Sequence, residues 1–559
     1  MKCNWTQWGQ GGTHQGTSCA TGQMPNKLLS RIAYDPLSGV EAADTASDEG
    51  PELLVHYATP LIVDDDVYVV VKGGHYIPCE PVGSFTLPDG GVCGVFARNV
   101  LQWSVKAFHW NGASLDEKWT YDTDWKPVSA HLVLWEPPLQ PAVAGDYLWV
   151  PGAGGTLDQV ERATGKRKKR VDPFNDPKFQ TVSGVAASTR GELYYAAMML
   201  DPTDASHLED ARLVKVSYDG DTKNVKLPEV MMGAPQSTDV CHGVFRQPPD
   251  QLPFPPVTDA GAFKPPPNVQ CGPQRPGISA VPAISADGKA IYFVTRDHLN
   301  SRYSFLLAVT DELKPKWTAS LRDRLNDGCG VLTPADAVDN PDGGLGDGNR
   351  CRAGAPEGVD PETDQQPVAR VDDSSSSSPM VLPDGTVLYG AFTTYNTFRG
   401  HLMHFGAGGD YLGNYDFGWD VTPAAFAHDG TFSVIVKDNH YFNFDGDAGT
   451  FFLTRLDKDL KPEWRFQNTN TMSCHEDGGC DDDHPNGFEW CINAPAVDAQ
   501  GNVFGNAEDG NLYVIGPDGT KKAQHFLKLA IGAAYTPLAI DSKGRLYALN
   551  GGDLFVMGE

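Results

Sequence analysis

The sequence predicts an all-β protein, an eight-bladed β-propeller, and three observations carry that reading. A short phrase recurs eight times along the 559 residues: a small residue or Thr, then Pro, apolar residues, a turn with Asp or Gly, and an aromatic strand. The shortest spacings between copies, 42 to 44 residues, match one four-stranded blade. No stretch shows a convincing apolar period of 3.6, so helices are not the repeating unit.

The copies open at Pro60, Pro141, Gly184, Pro282, Pro379, Pro423, Pro495 and Pro537, the clearest covering residues 494–504 and 536–547. Proline suits the first position of a strand, where no ladder hydrogen bond is lost. The turn that follows is a tight hairpin, and alternation as in Leu546-Tyr547-Ala548-Leu549-Asn550 makes the next strand. A second turn, such as Pro517-Asp518-Gly519, leads outward to strands that carry Trp119, Trp317 and Trp464. The Gly184 copy lacks the proline; if it is spurious, the ring has seven blades. The last copy has room for three strands, and residues 4–9 are expected to supply the fourth and close the ring, which removes two exposed edges.

Composition fits this reading. Gly 60 and Pro 42 are turn residues, and 40% hydrophobic content supplies a core. The net charge of −28 opposes binding to nucleic acid or to anionic membranes. No run of about 18 apolar residues is present to span a membrane.

The eleven cysteines stand mostly in loop-like segments. The close pairs Cys79 with Cys93, Cys241 with Cys271, and Cys329 with Cys351 suit disulfides of an oxidising compartment, as does Cys474 with Cys480. No CxxC zinc spacing occurs. Cys3 is read as the odd one: either a lipid-modified cysteine whose export signal is not visible, or an exposed thiol. The expected location is extracytoplasmic: periplasmic, secreted or at the cell surface.

The repeat resembles the PQQ-like, or quinoprotein alcohol dehydrogenase-like, β-propeller family. The resemblance rests on Glu508-Asp509-Gly510-Asn511-Leu512-Tyr513-Val514-Ile515, on the turn Ala163-Thr164-Gly165, and on Trp5-x-x-Trp8-Gly9 followed by His14-x-Gly16. It implies one propeller domain over residues 1–559, with insertions at about 73–102, 231–278, 321–373 and 470–492. The dehydrogenases of the family carry two adjacent cysteines over the quinone, and their haem-bearing members a CxxCH; neither occurs here. The resemblance therefore implies the scaffold without its cofactor, and the family's binding and assembly members are the better comparison.

Insertions of these kinds leave a propeller on one face, so long stapled loops should gather at the channel mouth, an arrangement suited to binding. The richest chemistry there is His475, Glu476, Asp477, Asp481, Asp483 and His484. Oxygen ligands so closely spaced suit calcium, and two histidines suit a transition metal; a solvated acidic loop held by a bridge is the plainer alternative. Residues 438–441 and 445–447 read as hairpin residues, and Ser374 to Ser378 as a linker into a strand. His401 and His404, three apart on a strand, should face opposite ways. The reading that results is a non-catalytic binding or scaffold protein for a protein or carbohydrate ligand, calcium being the one cofactor left open. The alternative is an enzyme at the channel mouth, either a quinoprotein-like oxidoreductase or a polysaccharide lyase or hydrolase.

Overall fold

Each of the eight phrases opens the innermost strand of a blade. The computed structural model describes residues 3–44, 53–78, 97–128, 132–133, 135–241, 268–298, 303–322, 324–325, 369–392, 399–418, 422–441, 449–490, 492, 494–531 and 537–559. Blade 1 is Leu61–Val63, Asp66–Gly74, Leu101–Trp110 and Leu115–Thr123; blade 2 is Ala142–Ala144, Tyr147–Pro151, Leu157–Glu161 and Arg167–Val171. In blades 3 and 4 the innermost strand is split, as Phe179–Thr181 with Ala186–Ala187 and as Gln274–Pro276 with Ala283–Ile284. The proline-free Gly184 copy is thus a true blade. The innermost strands of blades 5, 6 and 7 are Met380–Val381, Ala424–His428 and Ala496–Val497. They are rich in small side chains, as the narrow hub of a tapering ring requires.

Blade 8 closes the ring in the order Lys27–Ala33, Asp553–Gly558, Leu546–Asn550, Leu538–Ile540. The early strand is therefore residues 27–33, not 4–9, and its register runs from Lys27 opposite Gly558 to Ala33 opposite Asp553. Gly9 takes a left-handed φ of 59° and lies so close to His14 that no side chain fits, so the chain turns there instead of continuing as a strand. Two short helices, Ser38–Asp44 and Leu227–Val230, were not expected; at seven and four residues they are too short to show a period.

Tryptophans on outermost strands lock neighbouring blades. Trp119 donates its indole N–H to the Arg162 carbonyl (3.0 Å), Trp317 to Ala407 (2.8 Å) and Trp464 to Pro517 (3.1 Å). Each ring lies against a turn glycine of the next blade: Gly165, Gly409 and Gly519, all at positive φ. Any Cβ there would enter the indole, so the Ala-Thr-Gly turn is both a hairpin and a docking seat.

The first twenty residues do something else. Trp5 exchanges backbone hydrogen bonds with Ile62 of blade 1 (2.8 and 2.7 Å), and the Thr6 carbonyl accepts from Val143 of blade 2 (2.8 Å). The Gln7 side chain pairs with the Ala187 backbone of blade 3 (2.8 and 2.9 Å). The carbonyls of Gly12, Thr13, Gln15 and Gly16 accept from Ile284, Val381, Ala425 and Val497, the inner strands of blades 4 to 7. Gln23 donates to Gly544 of blade 8 (2.7 Å). One segment thus meets all eight blades in chain order and fills the hub. A disulfide joins Cys3 to Cys19 across its ends. Cys3 is therefore neither an odd thiol nor a free site for a lipid; its partner lies across the hub coil, which spacing along the chain does not reveal.

Candidate functional site on the loop-bearing face

Connections from an outermost strand to the next innermost strand, and from a second strand to a third, emerge on one face of the ring. Lys72 ends the second strand of blade 1; Asp35 and Glu41 belong to the connection from blade 8, and Glu136 to the connection into blade 2. These four meet in the interior. The Lys72 ammonium lies 2.6 Å from Glu41, 3.3 Å from Asp35 and 3.4 Å from Glu136, with every side chain at most 4% exposed. Tyr57 donates to Asp35 (2.9 Å) and Tyr76 to Asp44 (2.7 Å).

Three carboxylates share one ammonium, so the cluster cannot be fully ionised without a buried excess of negative charge. Burial, reinforced by the neighbouring carboxylates and opposed by Lys72, raises Glu41 to about 7 and Glu136 to about 8. Burial alone would lower Lys72, but Asp35, Glu136 and Glu41 outweigh it and hold the ammonium well above its ordinary value. Beside the cluster is a cavity of about 20 Å³ lined by Tyr34, His56, Tyr57, Lys72, Trp103 and Glu136. It has room for about one water. The Tyr34 hydroxyl and Glu136 Oε2 are buried there without a protein partner.

A second buried network lies on the same face between blades 4 and 5. Arg275 grips Asp373 with both terminal nitrogens, one at 2.9 Å, and Arg296 reaches the same carboxylate at 2.9 Å. Burial would raise Asp373, but the two guanidiniums outweigh it and hold it down to about 2. His298 accepts from Arg275 Nε at 2.9 Å through Nδ1 and donates to the Ala205 carbonyl at 2.9 Å through Nε2. Burial first, then the Arg275 charge, lowers it to about 4, so it is neutral.

The predicted metal set divides instead of converging. The disulfide Cys474–Cys480 closes a small hairpin, Met472–Cys474 with Cys480–Asp482. Glu476 pairs with Arg31 (2.5 Å), and Asp477 accepts from the Gly479 backbone (3.1 Å). His484 contacts Asp483 (2.7 Å) and stacks on Phe488. His475 and Asp481 are exposed. Among the described residues no three His, Cys, Asp or Glu side chains are placed to hold a metal ion. His475, Glu476 and Asp477 stand in the turn of the hairpin, whereas Asp483 and His484 follow its second strand, so the two groups have separate partners.

The other singled-out residues fall as follows. Asp438 and His440 lie in the long strand Thr431–Tyr441, which pairs as a hairpin with Gly449–Leu456. Asp438 is buried and takes His440 (2.6 Å), Tyr415 (2.7 Å), Thr454 (2.7 Å) and Arg465 (3.2 Å). Ser375 to Ser378 are buried, and Ser378 Oγ accepts from Val281 N (2.8 Å), so the run is interior packing between blades. His401 pairs with Asp416 (2.5 Å) and His404 with Thr386 (2.7 Å), on opposite sides of their strand. Cys241–Cys271 is a disulfide. Cys79, Cys93, Cys329, Cys351 and residues 445–447 lie outside the described residues.

No protein-family model and no curated protein matches the chain in sequence. Among solved structures, a europium-containing methanol dehydrogenase aligns with a TM-score of 0.51 at 10% identity, over 98% of this chain and 89% of that one. The fold is that of the PQQ-like β-propellers. Two further PQQ-like structures are similar at lower scores. The quinohemoprotein alcohol dehydrogenase from Comamonas testosteroni gives 0.48 at 10% identity, over 100% and 81% of the two chains. BamB from Moraxella catarrhalis gives 0.41 at 11% identity, over 95% and 99%. At such identity the likeness concerns the fold and carries no activity.

A quinone does not fit what this PQQ-like propeller presents at the Lys72 cluster. The cavity there is water-sized, whereas a bound cofactor needs roughly 300 Å³ or more. The Lys72 ammonium is already taken up by three carboxylates, and no two cysteines of the chain are adjacent. Sequence reasoning missed this cluster. Its one local signal is a lysine inside the apolar run Val67-Tyr68-Val69-Val70-Val71-Lys72.

Proposed function

We propose that the chain is an extracytoplasmic, non-catalytic binding or scaffold protein that holds a partner protein on its loop-bearing face. The observation that carries this is the state of the polar groups there. The Lys72 and Arg275 networks are buried and tie loop residues to one another, which supports a role in holding the loops in place. Three disulfides among the described residues support a location outside the cytoplasm. Among the described residues no helix is long and apolar enough to cross a membrane. The test is photo-crosslinking in the native host from probes at His475, on the loop-bearing face, and at Asp384, in a turn on the opposite face. A discrete protein adduct from His475 alone supports the reading; equal labelling from both sites, or none, overturns it.

The enzyme alternative draws on one observation, two buried carboxyls raised toward neutrality, Glu41 and Glu136. A quinone absorbance band after addition of PQQ and calcium favours an oxidoreductase, and a rise in ultraviolet absorbance on an acidic polysaccharide favours a lyase. Calorimetry with calcium tests the metal directly.

A further inference from the structure

The outermost strand of blade 2 carries a charge opposite to that of the chain. Residues 166–170 read Lys-Arg-Lys-Lys-Arg in a protein of net charge −28. The strand Arg167–Val171 is last in its sheet; it pairs inward with Leu157–Glu161, and among the described residues its outer edge has no strand partner. Lys166, Arg167, Lys168 and Lys169 are exposed. Only Arg170 is fully matched, by Asp124 and Asp158 (both 2.7 Å), while Arg167 lies 3.7 Å from Asp158. Lys168 rests over the Tyr147 ring (4.9 Å), and Lys169 reaches the backbone carbonyls of Asp219 and Gly220 (3.3 and 3.4 Å). Among the described residues none of Lys166, Lys168 and Lys169 has a carboxylate within ion-pair distance.

The other outermost strands carry fewer cations. Leu115–Thr123 carries acids, Tyr411–Gly418 no basic residue, Pro315–Ser320 and Pro462–Gln467 one each, and Lys27–Ala33, Thr222–Lys226 and Lys521–Phe526 two each, against the four of Arg167–Val171. An unpaired edge with a row of cations is a template for an extended segment of opposite charge: the main chain supplies hydrogen bonds and alternate side chains supply selectivity.

We propose that the edge Arg167–Val171 receives an extended acidic segment of a partner protein as a fifth strand of blade 2. The surface lies on the rim of the ring and is independent of the loop-bearing face. The acidic surroundings favour this occupant over nucleic acid or an anionic membrane. A short segment can be held within a Debye length of the basic strand, about 8 Å at physiological salt, whereas a long polyanion must also face the remaining negative surface.

The probe is a fluorescein-labelled peptide of alternating glutamate and valine, seven residues long, titrated into the full chain by anisotropy at low and physiological salt. Hydrogen exchange of residues 167–171 is followed in the same samples. Expected are binding that weakens with salt, slowed exchange in 167–171, and an affinity loss of about tenfold in the combined variant Lys166→Gln, Arg167→Gln, Lys168→Gln, Lys169→Gln. The reasoning is overturned by absent binding, by equal binding to the variant, or by binding that leaves exchange in 167–171 unchanged. It is also overturned if the variant binds as before but self-associates on a sizing column, which makes the lysines a guard against edge-to-edge pairing and no more.

Discussion

Replacing Glu136 by Gln tests the buried cluster at its most sensitive point. With Glu136 raised to about 8 and Glu41 to about 7, the folded chain holds protons near neutrality that the unfolded chain has released above about pH 4.5. Stability from this site is complete below that pH and is lost as pH rises toward 7 and 8. For one held proton the slope is about 1.4 kcal/mol per pH unit, or about 2.7 kcal/mol between pH 5.5 and 7.5. Glu136→Gln leaves a neutral group of the same shape beside Lys72, so its curve lacks that loss. Acids outside the cluster are common to both proteins and cancel in the difference. Denaturant unfolding across pH 4.5 to 8.5 is the assay: wild type and variant should lie nearest each other at pH 4.5 and diverge as pH rises, the variant becoming the more stable. Parallel curves would refute the assignment of a shared proton to this cluster.

Four other outcomes follow from the geometry. Lys72→Met strands three buried carboxylates, and a loss of about 3–5 kcal/mol, larger at pH 8 than at pH 5.5, is expected in the same assay. Gly165→Ala places a Cβ 2.5 Å from the Trp119 ring at a φ of +69°, so the thermal midpoint should fall by more than it does for Gly385→Ala, where positive φ is the only obstacle. Cys3→Ser opens a disulfide that spans 16 residues, with an expected cost of about 3 kcal/mol and faster proteolysis within residues 4–23. Glu476→Gln breaks a half-exposed pair with Arg31 and should cost less than about 1 kcal/mol, whereas a larger loss would give that hairpin a structural weight its exposure does not suggest.

The ring was legible because its signals are local. A proline, a turn and an aromatic strand fall within a dozen residues of one another, and all eight such phrases open a blade. The tryptophans of the outer strands were visible too, although their seats on Gly165, Gly409 and Gly519 were not. What escaped was assembled from distant parts of the chain. Asp35, Glu41, Lys72 and Glu136 share no spacing, and each alone reads as a solvated charge. Cys3 looked solitary because its partner, Cys19, is reached only after the chain has coiled through the hub. Conversely, the acidic hairpin at 474–484 looked like a ligand set because composition says nothing about which of its residues fall in the turn and which pair elsewhere, as Glu476 does with Arg31. The serine run looked like a linker because burial cannot be read from polarity when the hydroxyls of Ser375, Ser377 and Ser378 find backbone partners.

The hub coil also has a bearing on the order of events during synthesis. Residues 4–23 leave the ribosome ahead of every blade, yet their hydrogen-bond partners run from Ile62 to Gly544. They cannot settle as they emerge. Each blade that forms can claim one short stretch of the waiting segment, and only the last, which needs Lys27–Ala33 as its outer strand, fixes both the segment and the ring. Contacts this far apart in sequence make folding slow. A segment made before any blade is the last to be placed, and a nascent ring that stalls before blade 8 is left with an unfilled centre and an open seam.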